Sequence, residues 1–324
     1  DANTTGTDNT AIGDNALGAN TTANYNTAVG SASLDANTTG ANNTAVGFAS
    51  LGANSTGADN VAVGYGALDA NLASSNVAIG SGAMLVNTTG ATNTAVGYLA
   101  LDANTTASNN VAVGSGSLGS NTTGANNVAV GSGALDANTT ASNNVGVGKD
   151  AIGDNTTGAS NTAIGHNALT ANTTANNNVA VGYQTMLANT TGTDNVAVGS
   201  NALDANTTGE DNTAIGDNAL GANTTASNNT AVGSAALLVN TTGTANVAVG
   251  KGSLTAGTTG SNNVAIGDAA LYANTTADNN VAMGKSAMVA NTTGAGNVAV
   301  GTLALDANTT ASNNTAMSYA ALGA

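Results

Sequence analysis

The apolar and small residues of this chain follow one short pattern, Asn-[Thr/Val]-Ala-[Val/Ile]-Gly, which returns every 17 residues. The pattern begins first at Asn9 and last at Asn314, and a single step, after Gly64, is 16 residues long. When each repeat is numbered from its asparagine, position 5 is glycine except at Ser318, and position 9 is always Leu, Ile or Met. Self-similarity at a fixed period is the signature of a repeat protein. The sequence therefore predicts a single repeat array, 1–324, of about nineteen coils.

The alternation within each repeat predicts short strands rather than a helix. β-branched residues at positions 2 and 4 flank a small residue, and the run ends at a glycine, which is too short for a helical period. A second extended piece is predicted at positions 8–11, and Asn-Thr-Thr at positions 12–14 is typical of a corner. Coils of this kind stack about 4.8 Å apart and bury a shared core that one coil cannot form alone. The predicted fold is all-β, a parallel β-solenoid or β-roll of nineteen 17-residue coils, about 90 Å long.

The same alternation raises the question of which strand face lies inside. We expect positions 2 and 4 to face inward, together with position 9, so that the core consists of Val and Leu ladders. Positions 3 and 5 would then face outward. An outer face of Ala and Gly in almost every coil would suit the close approach of another chain. The alternative is that positions 3 and 5 face a tight interior, which implies no partner.

Composition and charge restrict the functional classes. Charged residues make up 6% of the chain, with 18 acidic and 3 basic residues and a formal net charge of −15. Such a chain does not attract nucleic acid or an anionic membrane surface. It has no Cys, which excludes disulfides and thiolate metal sites. No apolar run approaches the ~20 residues of a membrane helix. Because both ends fall inside a repeat, we expect a segment of a longer chain.

Part of each repeat resembles a known family. The stretches Asn76-Val77-Ala78-Ile79-Gly80 and Asn263-Val264-Ala265-Ile266-Gly267 are similar to the N-S-V-A-I-G-x-x-S head repeat of trimeric autotransporter adhesins. Related repeats occur in phage fibres and other long extracellular proteins. The likeness covers about half of each coil in nearly every coil, and this repeat is longer by its Asn-Thr-Thr corner. It implies a left-handed β-roll, three chains side by side, and an extracellular or cell-surface location.

Most of the chemical variety lies at position 6, just after the glycine. We predict an exposed stripe there, interpreted either as a recognition surface for a glycan or other surface, or as an outward corner under little constraint. Its candidate recognition residues are Phe48, Tyr65, Tyr98, Lys149, His166, Tyr183, Lys251, Lys285 and Tyr319.

The Asn-Thr-Thr corner matches the N-glycosylation acceptor. The alternative is an unmodified ladder of stacked Asn side chains, which the narrow spacing between coils favours. The candidate acceptors are Asn3, Asn20, Asn37, Asn54, Asn87, Asn104, Asn121, Asn138, Asn155, Asn172, Asn189, Asn206, Asn223, Asn240, Asn274, Asn291 and Asn308.

The sequence does not predict an enzyme, a cofactor or a metal site. The only His, His166, and the only Glu, Glu210, lie in different coils, so no nucleophile, base and orienting group can be assembled. The G-G-x-G-x-D calcium repeat is absent, and the Asp residues of position 10 never occupy adjacent coils. The prediction is a structural protein, a rod-like segment of an extracellular fibre or surface adhesin that associates side by side or end to end. The alternatives are an ice-binding solenoid with a Thr ladder, and a phage tail-fibre shaft.

Overall fold

A computed structural model describes residues 2–323 of the chain. These residues belong to two compact units, named here by the ranges 1–160 and 161–324, and each unit is a parallel β-solenoid. Each coil contributes one three-residue strand at positions 2–4, and no helix occurs within residues 2–323. The strands of residues 1–160 are β1 (Thr10–Ile12), β2 (Thr27–Val29), β3 (Thr44–Val46), β4 (Val61–Val63), β5 (Val77–Ile79), β6 (Thr94–Val96), β7 (Val111–Val113), β8 (Val128–Val130) and β9 (Val145–Val147). The strands of residues 161–324 are β10 (Thr162–Ile164), β11 (Val179–Val181), β12 (Val196–Val198), β13 (Thr213–Ile215), β14 (Thr230–Val232), β15 (Val247–Val249), β16 (Val264–Ile266), β17 (Val281–Met283), β18 (Val298–Val300) and β19 (Thr315–Met317).

Within each unit, every strand pairs in parallel with the next strand along the chain. The register is one coil, so that Thr27 pairs with Thr44 and Ala28 with Ala45. The same register holds across the shortened coil, where Val61 pairs with Val77. Equivalent positions therefore stack on one another, and each position of the repeat forms a ladder along its unit.

The strands have the opposite orientation to the predicted one. Position 3 is buried in every coil after the first, as in Ala45 and Ala112, whereas positions 2 and 4 lie on the outer face and are half-buried or exposed. The prediction of an inward Val ladder was therefore wrong, and the tight-interior alternative for position 3 is confirmed. The physical reason is space, because one coil of about 17 residues encloses so little volume that only a methyl group fits opposite the leucine ladder.

The core of each unit consists of small residues and one ladder of large ones. Position 9 is buried, as predicted, in every coil except the last, where Leu322 is exposed, and its buried residues include Leu51, Leu101 and Met186. Small residues at positions 3 and 8 fill the remaining apolar space, and asparagines at positions 1 and 12 occupy the rest of the interior. The core is therefore thin, and apolar side chains and buried asparagine amide groups share it.

The second predicted strand is absent. Positions 6–11 form consecutive turns, because the residues at positions 7 and 9 have left-handed backbone conformations. Leu99 and Leu101, for example, have φ angles of 50° and 55°. A side chain in this region costs about 1–2 kcal/mol. The backbone N–H groups compensate, since Leu99 donates to Ser81 O in the preceding coil (3.1 Å) and Leu101 to Ser117 O in the following one (3.0 Å).

Glycine at position 5 is required by the stacking itself. The φ angle of Gly199 is 137°, a conformation that side chains rarely adopt. A Cβ atom added there would lie 2.5 Å from Gly216 O in the next coil. The coils therefore touch backbone to backbone along this ladder, which explains why the repeat returns to glycine at the end of each strand.

Candidate functional site on the outer coil faces

Most coils are closed by two buried asparagines that donate to one carbonyl group. In the second coil, Asn26 Nδ2 at position 1 and Asn37 Nδ2 at position 12 both donate to Gly40 O, each at 3.0 Å. Both asparagines are fully buried. Because a buried polar group without a partner is costly, this shared acceptor ties the start, corner and end of the coil together.

The same asparagines also connect neighbouring coils. Asn37 Nδ2 donates to Asn20 Oδ1 of the preceding coil (3.1 Å), and Asn43 N donates to Asn26 Oδ1 (2.9 Å). The predicted Asn ladder at position 12 is thus present, and a second ladder at position 1 accompanies it. The second ladder also had a clear signal in the sequence, since position 1 is Asn in every repeat.

The position-12 ladder is interrupted at two coils, and both interruptions show what the asparagines do elsewhere. Gly257 occupies position 12 in one coil, and the preceding Asn240 Oδ1 is buried without a hydrogen-bond partner. In the shortened coil, Asn71 Nδ2 turns to Ala73 O (2.7 Å), and the preceding Asn54 Oδ1 is again left without a partner. Each buried oxygen therefore depends on the asparagine one coil further on.

The candidate glycosylation acceptors lie inside the coils. Apart from Asn3 and Asn308, which belong to the first and last corners of the described chain, all of them are buried. Their amide nitrogens are engaged, as in Asn104, where Nδ2 donates to Ala107 O (3.0 Å) and to Asn87 Oδ1 (2.7 Å). A glycan on such a nitrogen would replace a donor hydrogen and need space that the stack lacks. The geometry therefore favours the unmodified ladder.

The two threonines of each corner have different environments. Thr38 is half-buried and its hydroxyl group donates to Ser55 O in the next coil (3.0 Å), whereas Thr39 is exposed. Only the second threonine therefore contributes to an exposed outer ladder. The observed ladder is one residue wide, because the hydroxyl groups of the other threonine are committed to backbone carbonyl groups.

A continuous uncharged surface is formed by the outer face of the strands, whose residues at positions 2 and 4 the sequence pattern placed in the core. Position 2 is Thr or Val and position 4 is Val, Ile or Met in every repeat, so this face contains no charged side chain. Ile79, Val130 and Ile164 at position 4 are 41%, 37% and 43% exposed. The unbroken restriction to uncharged β-branched residues and Met was the signal for this surface, although alternation alone did not show that it faces outward.

The position-6 residues form the predicted exposed stripe. All nine candidate recognition residues are exposed, and some stack on their neighbours in the next coil. The rings of Phe48 and Tyr65 lie 5.5 Å apart with an angle of 13° between their planes, and those of His166 and Tyr183 lie 5.6 Å apart at 9°. Lys149 forms an ion pair with Asp150. The structure thus brings some stripe residues together in pairs and leaves others separated by small side chains.

Aspartates at position 10 occupy a partly desolvated ladder. Burial raises the pKa of Asp69 and Asp136 above the usual 3.8, and the carboxylate of Asp150 raises the pKa of Asp136 further. The Asp69 carboxylate leans over Gly52 in the preceding coil, where an added Cβ would lie 2.6 Å from Asp69 Oδ1. A raised native pKa means that the folded state binds protons more tightly than the unfolded chain. The resulting loss of stability is present above the raised pKa and disappears below about 3.8.

Two further properties concern the described chain as a whole. Within residues 2–323, no three His, Asp or Glu side chains are grouped as metal ligands would be. The same residues include no helix with the length and hydropathy needed to cross a bilayer.

No protein-family model matches the sequence, and no curated protein is significantly similar to it.

Proposed function

We propose that the chain is a structural protein, a stacked-coil segment of an extracellular fibre or surface adhesin, in which copies associate side by side through the outer faces of their strands. The observation that carries this proposal is the uncharged ladder at positions 2 and 4. Parallel sheets are usually covered on both faces, whereas in these coils one face packs on the core and the other is open.

The size of the strand face fits a stable interface. Residues 161–324 contain ten strands, and each strand presents two outward side chains, which makes twenty. A standard interface uses about 20–30 residues on each side. The residues are also suitable, because β-branched side chains are stiff and lose little conformational entropy when they are covered.

The distribution of charge supports the same surface. The chain has a formal net charge of −15, yet no repeat places a charged residue at position 2 or 4. Interface centres are depleted in charged residues because an unpaired buried charge is costly. The acidic residues lie at other positions of the repeat, so their mutual repulsion acts on the remaining surfaces and not on the strand face.

The resemblance to adhesin head repeats supports an assembly of three copies. It rests on the Asn-Val-Ala-Ile-Gly stretches, whose Val and Ile are the outward residues of this structure. An assembly of this kind would cover the strand faces and leave the position-6 stripe and the Thr corner in solvent. Recognition of a cell surface or glycan would then fall to those exposed ladders.

The proposal is tested by placing charges on the strand face. A triple variant, Ile79→Lys, Val130→Lys and Ile164→Lys, changes position 4 in three coils. The matched control places lysines at position 6 of the same three coils, which is exposed and holds Lys elsewhere in the chain. The control substitutions are Ser81→Lys, Ser132→Lys and His166→Lys.

Sedimentation and light scattering would measure the mass of each protein, and circular dichroism would check that it is folded. We expect the wild type and the control to form an oligomer and the strand-face variant to be a folded monomer. A wild type that remains monomeric at all concentrations, or a strand-face variant that still assembles, would show that this face is not the interface.

A further inference from the structure

We propose that Tyr65 and Tyr98 form the two walls of a binding slot for an organic ammonium ion above Ser81. This site lies on the position-6 stripe of residues 1–160 and uses no residue of the strand face, so the proposal does not depend on the proposed assembly. The three residues occupy position 6 of three successive coils, β4 to β6.

The backbone register places Ser81 between the two tyrosines. Gly82 N donates to Tyr65 O (2.9 Å), and Leu99 N donates to Ser81 O (3.1 Å). The walls are therefore separated by two coil steps, or about 10 Å. A group at the midpoint would lie about 5 Å from each ring, within the ~6 Å range of cation–π attraction.

The exposures indicate that the slot is open. Tyr65 already stacks on Phe48 through one ring face, yet it is 64% exposed, which leaves its other side toward Ser81 uncovered. Tyr98 has only serines at position 6 on both sides, Ser81 and Ser115, and is 60% exposed. The Phe48–Tyr65 pair shows that position 6 can hold aromatic rings parallel in adjacent coils. In the slot, Tyr65 and Tyr98 are two coils apart, and Ser81 stands where a ring between them would be.

The slot also has an apolar side. Position 7 is glycine in two of these coils, and the Leu99 side chain leans over Gly82, where an added Cβ would lie 2.7 Å from Leu99 Cδ2. Leu99 therefore offers a hydrocarbon surface next to the exposed serine. A ligand with methyl or methylene groups around its charge fits such surroundings better than a fully hydrated metal ion.

Electrostatics favours a cation over a neutral sugar ring, which could also stack on tyrosine. Eight acidic residues and no basic residue precede Lys149 in the sequence. The coils that carry the two tyrosines also carry Asp69 and Asp102. A quaternary ammonium group is attracted by this field and loses little hydration when it enters an aromatic slot.

Choline is a suitable probe, and 3,3-dimethylbutan-1-ol is its neutral analogue, with carbon in place of nitrogen. Binding would be followed by NMR shifts of the tyrosine ring protons in the full chain, with sodium chloride added to equal ionic strength as a reference. Ser81→Leu fills the slot while it keeps both walls. Ser115→Leu adds the same side chain on the far side of Tyr98 and is the matched control, since both serines are exposed.

We expect choline to shift the ring signals of Tyr65 and Tyr98 together, with at least about tenfold weaker binding in Ser81→Leu and unchanged binding in Ser115→Leu. The neutral alcohol should bind at least about tenfold more weakly than choline. The proposal is overturned if choline has no more effect than sodium chloride, if the two leucine variants behave alike, or if the alcohol or glucose binds as well as choline.

Discussion

Gly257→Asn should stabilise the protein, although it places a polar side chain in the core. Gly257 interrupts the position-12 ladder, and Asn240 Oδ1 in the preceding coil is buried without a partner. An asparagine at this point would donate to that oxygen, as Asn206 Nδ2 donates to Asn189 Oδ1 at 2.7 Å in an intact part of the ladder. It would also accept from Asn274 Nδ2 in the following coil, whose only observed acceptor is Ala277 O.

The size of the effect follows from two gains and two costs. Supplying a partner to a buried polar atom is worth about 1–3 kcal/mol. Replacing glycine, whose φ is not in the left-handed region here, restricts the unfolded chain and adds about 0.4–1 kcal/mol. Ordering the side chain costs up to about 1 kcal/mol, and Leu254 Cγ, which would lie 3.2 Å from the new Cβ, must shift slightly. We expect a net gain of about 1–3 kcal/mol in the free energy of unfolding.

Two companion variants separate these contributions. Gly257→Ala adds the backbone effect without a donor and should gain less than about 1 kcal/mol. Gly257→Asp would place a carboxylate oxygen against Asn240 Oδ1, so it should destabilise the fold at neutral pH. Hydrogen exchange of amides in the neighbouring coils is the appropriate assay, because repeat arrays can unfold locally. Equal stability of the Asn and Ala variants would refute the reasoning that the ladder satisfies buried oxygens.

Three further predictions concern the stacking. Asn110→Ala removes the acceptor of Asn127 N and one donor to Gly124 O, so we expect the free energy of denaturant unfolding to fall by about 2–4 kcal/mol. The control, Thr106→Ala at an exposed position of the adjacent coil, should cost less than about 0.5 kcal/mol. Equal losses in the two variants would contradict the role of the ladder. Gly199→Ala should lower the thermal midpoint severely and Gly146→Ala should not, since the former meets a carbonyl oxygen at 2.5 Å and the latter stands where other repeats have Ala. Acidification from about pH 7 to about pH 4 should raise the free energy of unfolding. Replacing the responsible aspartates by Asn should make the free energy of unfolding less dependent on pH in this range. A wild type that loses stability on mild acidification would refute the assignment of the pH dependence to these aspartates. These aspartates, whose pKa values burial raises, are Asp69, Asp102, Asp136 and Asp204.

Much of this fold follows from the period of the sequence. Repetition of Asn at position 1 and of an apolar residue at position 9 predicted stacked parallel coils with a buried leucine ladder, and both are present. The ladder at position 12 was also predictable, because coils about 4.8 Å apart bring equivalent side chains together. These features depend only on spacing and residue type, which the sequence contains directly.

The parts that were mispredicted depend on interior volume and backbone conformation. Alternation distinguishes two strand faces, but both faces of Val61-Ala62-Val63 are apolar, so hydropathy could not identify the inner one. The better signal was size, since the inner position holds only Ala or Gly. The predicted second strand failed because Leu68, at position 9, adopts a left-handed conformation, against the intrinsic preference of leucine. Contacts between coils impose that conformation, and they are invisible in one repeat.

The left-handed leucines have a consequence for how the chain acquires its structure. Leu101 is held by an acceptor in the following coil and Leu99 by one in the preceding coil, so a coil on its own lacks the bonds that offset its backbone strain. The backbone conformation of each coil is thus stabilised by hydrogen bonds to its two neighbours. Folding should resemble crystal growth, with a slow first nucleus and rapid addition of further layers onto a finished surface. A free 17-residue repeat would have the residues of one coil but none of the neighbouring acceptors that hold its left-handed backbone, so it should not adopt this structure alone.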